Sequence, residues 1–301
     1  MIPAYQQVPQ GHPQPQGMYP QQMPAGHPQV PGMPMAQMPN FAAQFQQIGT
    51  PVDLINQMDM IYLKQKTTIG FGGIDANNVY YVYQLWKDPY TGKKMRGHKM
   101  FTCKSKSTKC ERLAHPACRA FRLDIFAKIY DPRVNKYVKV NFLRLHRPCR
   151  CVCLCYNRPY VDVYSTTGDK TAKHLLGVIS EPFTGCGCKY ALNITPGMKG
   201  KDADTKERRV FKVKRRQNCC ETACAGNITF NIENDQKTEV GSIKKLWGGW
   251  KKEMITDSDN FEAQFPKMCT WDQKALILAA MIFIDFRCFE EPQRKGKFRI
   301  H

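Results

Sequence analysis

Ten consecutive apolar residues near the C terminus, residues 275–284, constrain the fold of this chain most strongly. Thr270 and Gln273 precede them with the spacing of a capping box and Pro292 follows, which predicts a helix over residues 271–289. A helix that is apolar on all sides has to be buried on all sides. The apolar run is about 15 Å long, whereas a bilayer core requires about twenty residues. Length therefore favours burial inside a domain, with a short membrane span as the open alternative.

Short segments rich in β-branched and aromatic residues follow one another between about residues 66 and 265, separated by turn signals. Polar and apolar residues alternate in several of them, which predicts strands with one buried face. The predicted strands are residues 79–85, 119–126, 137–140, 160–164, 210–213 and 227–232. This spacing indicates a mainly β fold, most simply a closed antiparallel β-barrel. The apolar spacing of residues 52–63 predicts a short N-terminal helix.

The N-terminal part of the chain differs in composition from the rest. Residues 1–49 contain no Lys, Arg, Asp or Glu, and Pro and Gln dominate. Such a segment buries too little apolar surface to offset its chain entropy, so we predict a disordered tail. Its PxxP spacings within residues 28–34 are compatible with SH3 or WW domain partners. We predict one folded domain over residues 50–292 and a short basic tail over 293–301.

The formal net charge of +20 therefore lies on the folded part and on the short basic tail that follows it. It favours anionic partners, such as anionic phospholipid membranes or nucleic acid. The densest basic patch consists of Arg208, Arg209, Lys212, Lys214, Arg215 and Arg216. Its alternating pattern favours a solvated basic strand that assists membrane binding, over a nuclear signal or nucleic-acid site.

Four cysteines alternate with other residues directly after an Arg-Pro pair: Cys149, Cys151, Cys153 and Cys155. In an extended segment their thiols share one face, a geometry that does not suit disulfides. The N terminus shows no secretory signal pattern, which predicts a reducing compartment and disfavours disulfides further. Lipidated thiols, a zinc site and a buried strand face remain as alternatives.

A second group of cysteines combines Cys-x-Cys with Cys-Cys-x-x-x-Cys. Thiolates at these spacings can assemble a Zn²⁺ site from two loops. Reduced surface or core thiols are the simpler alternative. The candidate ligands are Cys186, Cys188, Cys219, Cys220 and Cys224.

A set of short motifs follows in order along the folded part. They are Phe71-Gly72, Arg147-Pro148 before the cysteines, Gly241-Ser242-Ile243, Trp247, residues 255–261, Gln264-Phe265-Pro266 and Ile284-Asp285-Phe286. In these motifs and their order the chain resembles the phospholipid scramblase family, over residues 51–290.

The resemblance implies a fold similar to the tubby proteins, a closed β-barrel around a central hydrophobic helix. It also implies calcium-stimulated, ATP-independent movement of phospholipids in both directions between leaflets. This activity breaks no covalent bond, so it requires no catalytic residues. A lipid-anchored interaction module without scrambling activity is the alternative, and a nuclear nucleic-acid-binding regulator is the third.

The resemblance further implies palmitoylation of the four alternating cysteines, at the cytoplasmic face of the plasma membrane. A nuclear pool and homo-oligomers are compatible with it. Each buried methylene contributes ~0.8 kcal/mol to anchoring, and flanking basic residues add to it. Arg144, Arg147, Arg150 and Arg158 flank the thiols and are predicted to meet acidic headgroups.

A calcium segment similar to an EF-hand loop is implied over residues 257–268. Asp257 and Asp259 supply carboxylates at its start, but Phe261 and Met268 occupy positions where an EF-hand supplies oxygen ligands. We therefore predict weak calcium binding, in the roughly millimolar range. An Asp-rich turn is the alternative. The candidate positions are Asp257, Asp259, Phe261, Ala263, Phe265 and Met268.

Overall fold

The computed structural model describes residues 49–66, 78–106, 120–149, 158–166, 174–183, 190–200, 208–215, 227–247 and 260–289. Within them the strands are β1 Met60–Lys66, β2 Val79–Lys87, β3 Lys94–Lys106, β4 Phe121–Asp131, β5 Lys136–Arg147, β6 Tyr160–Ser165, β7 His174–Ser180, β8 Ala191–Pro196, β9 Phe211–Arg215, β10 Ile228–Glu233, β11 Glu239–Leu246 and β12 Asn260–Gln264. The helices are α1 Pro51–Asn56 and α2 Trp271–Ile284, and a π-helical turn over Asp285–Phe289 continues α2. Of the predicted terminal tails, residues 1–48 and all of residues 293–301 lie outside the described residues.

The twelve strands form one closed barrel. Each strand pairs antiparallel with the next along the chain, and β12 pairs with β1 to close the ring. Closure removes free strand edges, which would otherwise be sites of association. The prediction of a closed antiparallel barrel is confirmed, and each predicted strand segment overlaps an observed strand.

Helix α2 occupies the interior of the barrel. Every side chain from Ala275 to Ile284 is buried in the core. The helix starts where the capping box predicts, since the side-chain oxygen of Gln273 accepts from the Thr270 N–H at 3.2 Å. The described part of the chain contains no helix that is long and apolar enough to cross a membrane. The predicted helix over 271–289 is confirmed as a buried element whose last turn is π-helical.

The N-terminal helix is shorter than its apolar spacing indicates. Thr50 and Asp53 cap α1 reciprocally, and the helix ends at Asn56. The prediction of helix to residue 63 is wrong, because Met60 onward forms β1, which closes the barrel between β2 and β12. Tertiary pairing overrides a local helical pattern here.

Gly241, in one of the sequence motifs, is required by a close approach between β11 and β12. A Cβ atom at this position would lie 2.6 Å from the backbone oxygen of Gln264. Any side chain would therefore push the two strands apart near the point where the barrel closes.

Candidate functional site

The up-and-down topology brings six connections to one end of the barrel. These connections join β1 to β2, β3 to β4, β5 to β6, β7 to β8, β9 to β10 and β11 to β12. We call this end the cysteine end, because all of the 14 cysteines except Cys103 and Cys269 belong to these connections, to their flanking residues or to the turn after α2. The connections that contain these cysteines thus leave from and return to strand ends at one end of the barrel.

Arg147, the arginine of the Arg-Pro pair, anchors the start of the alternating cysteine segment. It is only 3% exposed, and its guanidinium lies 5.7 Å from the centroid of the Phe283 ring on α2. The next described cysteine, Cys149, is exposed. The segment therefore leaves the barrel from a residue that is packed against the central helix.

Glu181, just after β7, anchors the other side of the same segment. Its carboxylate ion-pairs with Arg158, which precedes β6, and accepts a hydrogen bond from Arg287 Nε at 2.8 Å. All three side chains are at least three-quarters buried. Since Arg287 belongs to the turn that continues α2, Glu181 ties the cysteine segment to the end of the helix.

The end of α2 is itself fixed by polar and aromatic contacts. The Tyr80 hydroxyl donates to Asp285 Oδ2 at 2.6 Å inside the barrel. Phe286 stacks on Phe121, the first residue of β4, with ring centroids 4.3 Å apart. Asp285 and Arg287 thus face the protein rather than the edge of a bilayer.

Three of the four flanking arginines have contacts within the protein, and their contact with acidic headgroups stays a prediction. Arg144 Nε hydrogen-bonds Asp124 at 2.7 Å, while Arg147 and Arg158 are engaged as described above. Arg144 and Arg158 pair with carboxylates and Arg147 packs against the central helix, so these three guanidinium groups stabilise the fold. Arg150 lies outside the described residues.

The described thiols differ in their reactivity. Burial raises the pKa of Cys103, inside the barrel, and raises the pKa of Cys269 to about 12. Cys149 is exposed, which thioacylation requires, whereas a buried thiol with a raised pKa is unreactive. Cys151, Cys153 and Cys155 lie outside the described residues, so the palmitoylation set stays a prediction.

The candidate zinc ligands belong to neighbouring connections. Cys186 and Cys188 lie between β7 and β8, and the other three lie between β9 and β10. Because β8 pairs with β9, the strand ends that flank the two connections are neighbours at the cysteine end. All five residues, Cys186, Cys188, Cys219, Cys220 and Cys224, lie outside the described residues, and the zinc site stays a prediction.

The later part of the predicted calcium segment is a strand of the barrel and not a loop. Phe261 and Ala263 point into the core from β12, which pairs with β1 on one side and β11 on the other. Phe265 is buried beyond the strand, and Met268 is 94% exposed near the start of α2. These four side chains do not surround a common point. Asp257 and Asp259 lie outside the described residues, and calcium binding there stays a prediction.

The basic patch lies on and around β9. Phe211 and Val213 are buried, whereas Lys212 and Lys214 are half-buried on the outer face, so the predicted amphipathic strand is confirmed. Arg215 is also half-buried, but it shares the inward side of β9 and lies opposite the buried Phe230 of β10. Lys214 ion-pairs with Glu233 of β10, which neutralises part of the patch. Arg208 is exposed and Arg209 half-buried before the strand, and Arg216 lies outside the described residues.

Sequence reasoning missed Glu181 and Arg287 as site residues. They lie 106 positions apart, and no local pattern marks either of them. They meet because the C-terminal end of α2 lies next to the end of β7 in the folded barrel.

The fold and this site define a helix-filled barrel protein with a thiol-rich end. The sequence model of the Scramblase family matches residues 38–291, and the chain therefore belongs to this family. Mouse phospholipid scramblase 1 is 25% identical over 257 residues, which are 82% of this chain and 67% of the mouse protein. Human phospholipid scramblase 2 is 24% identical over 242 residues, 79% of this chain and 70% of the human protein. No solved structure matches the chain.

Proposed function

We propose that this protein moves phospholipids between the leaflets of a membrane, in both directions, without ATP and with stimulation by calcium. Family membership carries the proposal, together with the similarity to two named phospholipid scramblases over about four-fifths of the chain. Lipid movement requires no covalent catalysis, so binding and membrane attachment are the properties to derive from the fold.

Membrane attachment is assigned to the cysteine end. The apolar side chains of α2 are packed inside the barrel and are not available to lipid. The exposed Cys149 and the cysteines that follow it, Cys151, Cys153 and Cys155, are the candidate thioester sites. Stable anchoring requires two acyl chains, or one chain with basic residues, and four adjacent thiols can meet this requirement. The cytoplasmic face of the plasma membrane is the proposed location.

The proposed response to calcium is weak. The predicted segment has three carboxylates, and one of them, Glu262, ion-pairs with Lys94. Asp257 and Asp259 are therefore the candidate carboxylate ligands, since Phe261 and Ala263 face the barrel core. A site with so few ligands responds at roughly millimolar calcium.

Reconstitution tests the activity. Purified full-length protein is placed in vesicles with a fluorescent phospholipid, and leaflet exchange is followed without ATP, with and without about 1 mM calcium. We expect exchange that increases with calcium. Absence of exchange at high protein density would contradict scramblase activity and favour a lipid-anchored interaction module.

Exchange of the cysteines tests the anchor. The fourfold Ser variant of Cys149, Cys151, Cys153 and Cys155 is compared with a matched fourfold Ser variant of Cys186, Cys188, Cys219 and Cys220, at the same end of the barrel. We expect the first variant to lose thioester labelling and leave the membrane fraction, and the second to keep both. Unchanged membrane fractionation of the first variant contradicts the proposed anchor.

One observation favours the interaction module as the second candidate function. The interior of the barrel is occupied by α2, so a lipid path has to run outside the barrel, with help from further copies or from the bilayer. A module anchored by thioesters needs no such path. Its N-terminal PxxP spacings would then recruit SH3 or WW domain partners.

A further inference from the structure

The outer wall formed by β2 to β5 carries a cavity of about 260 Å³. The strand pairings of this wall contain three register shifts, and two of them are β-bulges in β3 and β5. The pairing register shifts by one residue at Met100 of β3 and again at Phe142 of β5, and both extra side chains turn into the core. Bulges bend strands and re-aim side chains, and they often occur beside functional sites.

The cavity is strongly basic. Four lysines from three strands line it, and the lining contains no carboxylate: Lys99, Lys104, Lys128 and Lys139. Tyr81, Thr102 and Phe126 form its floor, because they lie opposite one another on β2, β3 and β4. A floor of two aromatic rings and a hydroxyl lies under several positive charges.

Two of the lysines are held against this floor. Lys99 Nζ lies 4.7 Å from the centroid of the Tyr81 ring, and Lys139 Nζ lies 3.9 Å from that of Phe126. Partial desolvation of this exposed side chain, and then the positive charges of Lys104 and Lys106, lower the pKa of Lys139. The positive charges are thus gathered together without a neutralising partner in the cavity lining.

Asp124 is the nearby carboxylate on the same wall, directly opposite Lys104 in the strand register. It is engaged by Lys106 Nζ at 2.9 Å and by Arg144 Nε at 2.7 Å. Since Asp124 is already paired with these two cations, and no ion pair joins it to a cavity lysine among the described contacts, the cavity lysines retain their capacity for an external anion.

We propose that this cavity binds a compact anion with several phosphate groups, the chemistry shared by polyphosphoinositide headgroups and soluble inositol polyphosphates. Its volume equals that of about nine water molecules, enough for a phosphorylated ring and too small for acyl chains. Four ammonium groups match several phosphates better than a single carboxylate or phosphodiester. Binding of a lipid headgroup at this cavity rests on the proposed membrane association, whereas binding of a soluble anion does not.

Calorimetry on the full-length protein tests the site, with a soluble inositol trisphosphate as the probe. The pocket variant is Lys104→Gln with Lys139→Gln. The matched control is Lys93→Gln with Lys136→Gln, which removes the same charge from exposed positions beside turns and outside the cavity. All four lysines are exposed, so both variants are expected to fold, and their melting temperatures check this.

We expect saturable binding by the wild type, weakened by about tenfold or more in the pocket variant and changed by less than about twofold in the control. A second arm compares vesicles that contain a bisphosphorylated phosphoinositide with phosphatidylserine vesicles of equal charge. Stronger binding to the phosphoinositide vesicles indicates that the ligand is a lipid headgroup. Binding of inositol trisphosphate without this preference indicates that the ligand is a soluble inositol polyphosphate. No saturable binding, or equal losses in both variants, overturns the proposal. Neither arm measures leaflet exchange. A failure to bind the anion is therefore distinguishable from a failure of the proposed scramblase activity.

Discussion

The two ends of the barrel are built from the same strands but are closed by different chemistry. At the end where α2 begins, α1 covers the opening, and Lys274 Nζ donates to the backbone oxygens of Asn56 and Met58 at 2.8 Å each. At the cysteine end, ion pairs between side chains hold α2 instead, through Glu181, Arg158 and Arg287. At the first end, α2 is bonded to backbone atoms of the chain around α1, and we expect these bonds to contribute mainly to stability. At the cysteine end, side chains hold α2, so the connections there can differ in sequence and carry function.

Glu181→Gln should have the largest effect. The substitution removes the charge that two mostly buried arginines share, and breaking such a buried pair costs about 3 kcal/mol. We expect a lower free energy of unfolding in denaturant titration, together with weaker membrane fractionation, because the cysteine segment loses its tie to α2.

The matched variant for Glu181→Gln is Glu239→Gln, which removes an exposed carboxylate at the opposite end of the barrel. It should leave membrane fractionation unchanged. If Glu181→Gln reduces stability but leaves fractionation intact, the link between this ion cluster and the cysteine segment is wrong.

Lys274→Met should have a somewhat smaller effect, confined to the other end. The lysine is 5% exposed, and its loss leaves two carbonyl oxygens without their donor, at a cost of about 2 kcal/mol. Lys267→Met, at an exposed position before α2, is the control and should change stability little. Membrane fractionation of Lys274→Met should match the wild type. A loss of membrane binding without loss of stability would contradict the division between the two ends.

Asp124 lies on the outer wall near the cysteine end. Asp124→Asn should lower the free energy of unfolding by about 1.5 kcal/mol at neutral pH. Burial alone would raise the pKa of Asp124, but hydrogen bonds and charge from Arg144 and Lys106 lower it. A carboxyl whose pKa is lower in the folded state stabilises above its unfolded pKa and loses this contribution as the pH falls through the folded value.

The stability gap between the wild type and Asp124→Asn should therefore be full at pH 7 and close below about pH 4. Denaturant titrations across this range measure it, with the exposed Asp235→Asn as the control. A gap that does not depend on pH would show that the ion pairs at Asp124 do not stabilise the wall.

Substitutions of single cysteines should have the smallest effects on the free energy of unfolding. One such substitution at each end of the barrel compares the two ends directly. Cys149→Ser should change the free energy of unfolding by less than about 0.5 kcal/mol, since Cys149 is exposed. Cys269→Ser should cost about 1 kcal/mol, because the half-buried Cys269 packs against the core. Thermal denaturation of both variants checks this order, and a larger cost at Cys149 would contradict its role as a surface anchor.

Sequence reasoning located the alternating cysteines but not the residues that position them. Arg147 belongs to a visible motif, yet its packing against Phe283 depends on the path of α2 through the barrel. The flanking arginines looked like headgroup ligands because charge patterns carry no information about distant carboxylates. The same limit applies to Phe261 and Ala263, whose loop-like spacing hid a strand that is paired on both sides.

The sequence by itself determined the mainly β fold, the apolar helix and its capped start, because these depend on local periodicity and on an apolar run that has no polar face. That this helix lies inside the barrel, and not in a bilayer, was decided by the tertiary structure. Only the tertiary structure decided that α1 ends at Asn56, that Glu181 joins Arg158 to Arg287, and that four lysines from three strands share one cavity. Local patterns report which residues are apolar and how often they recur. Barrel closure, register and bulges determine which distant side chains meet, and these are properties of the whole chain.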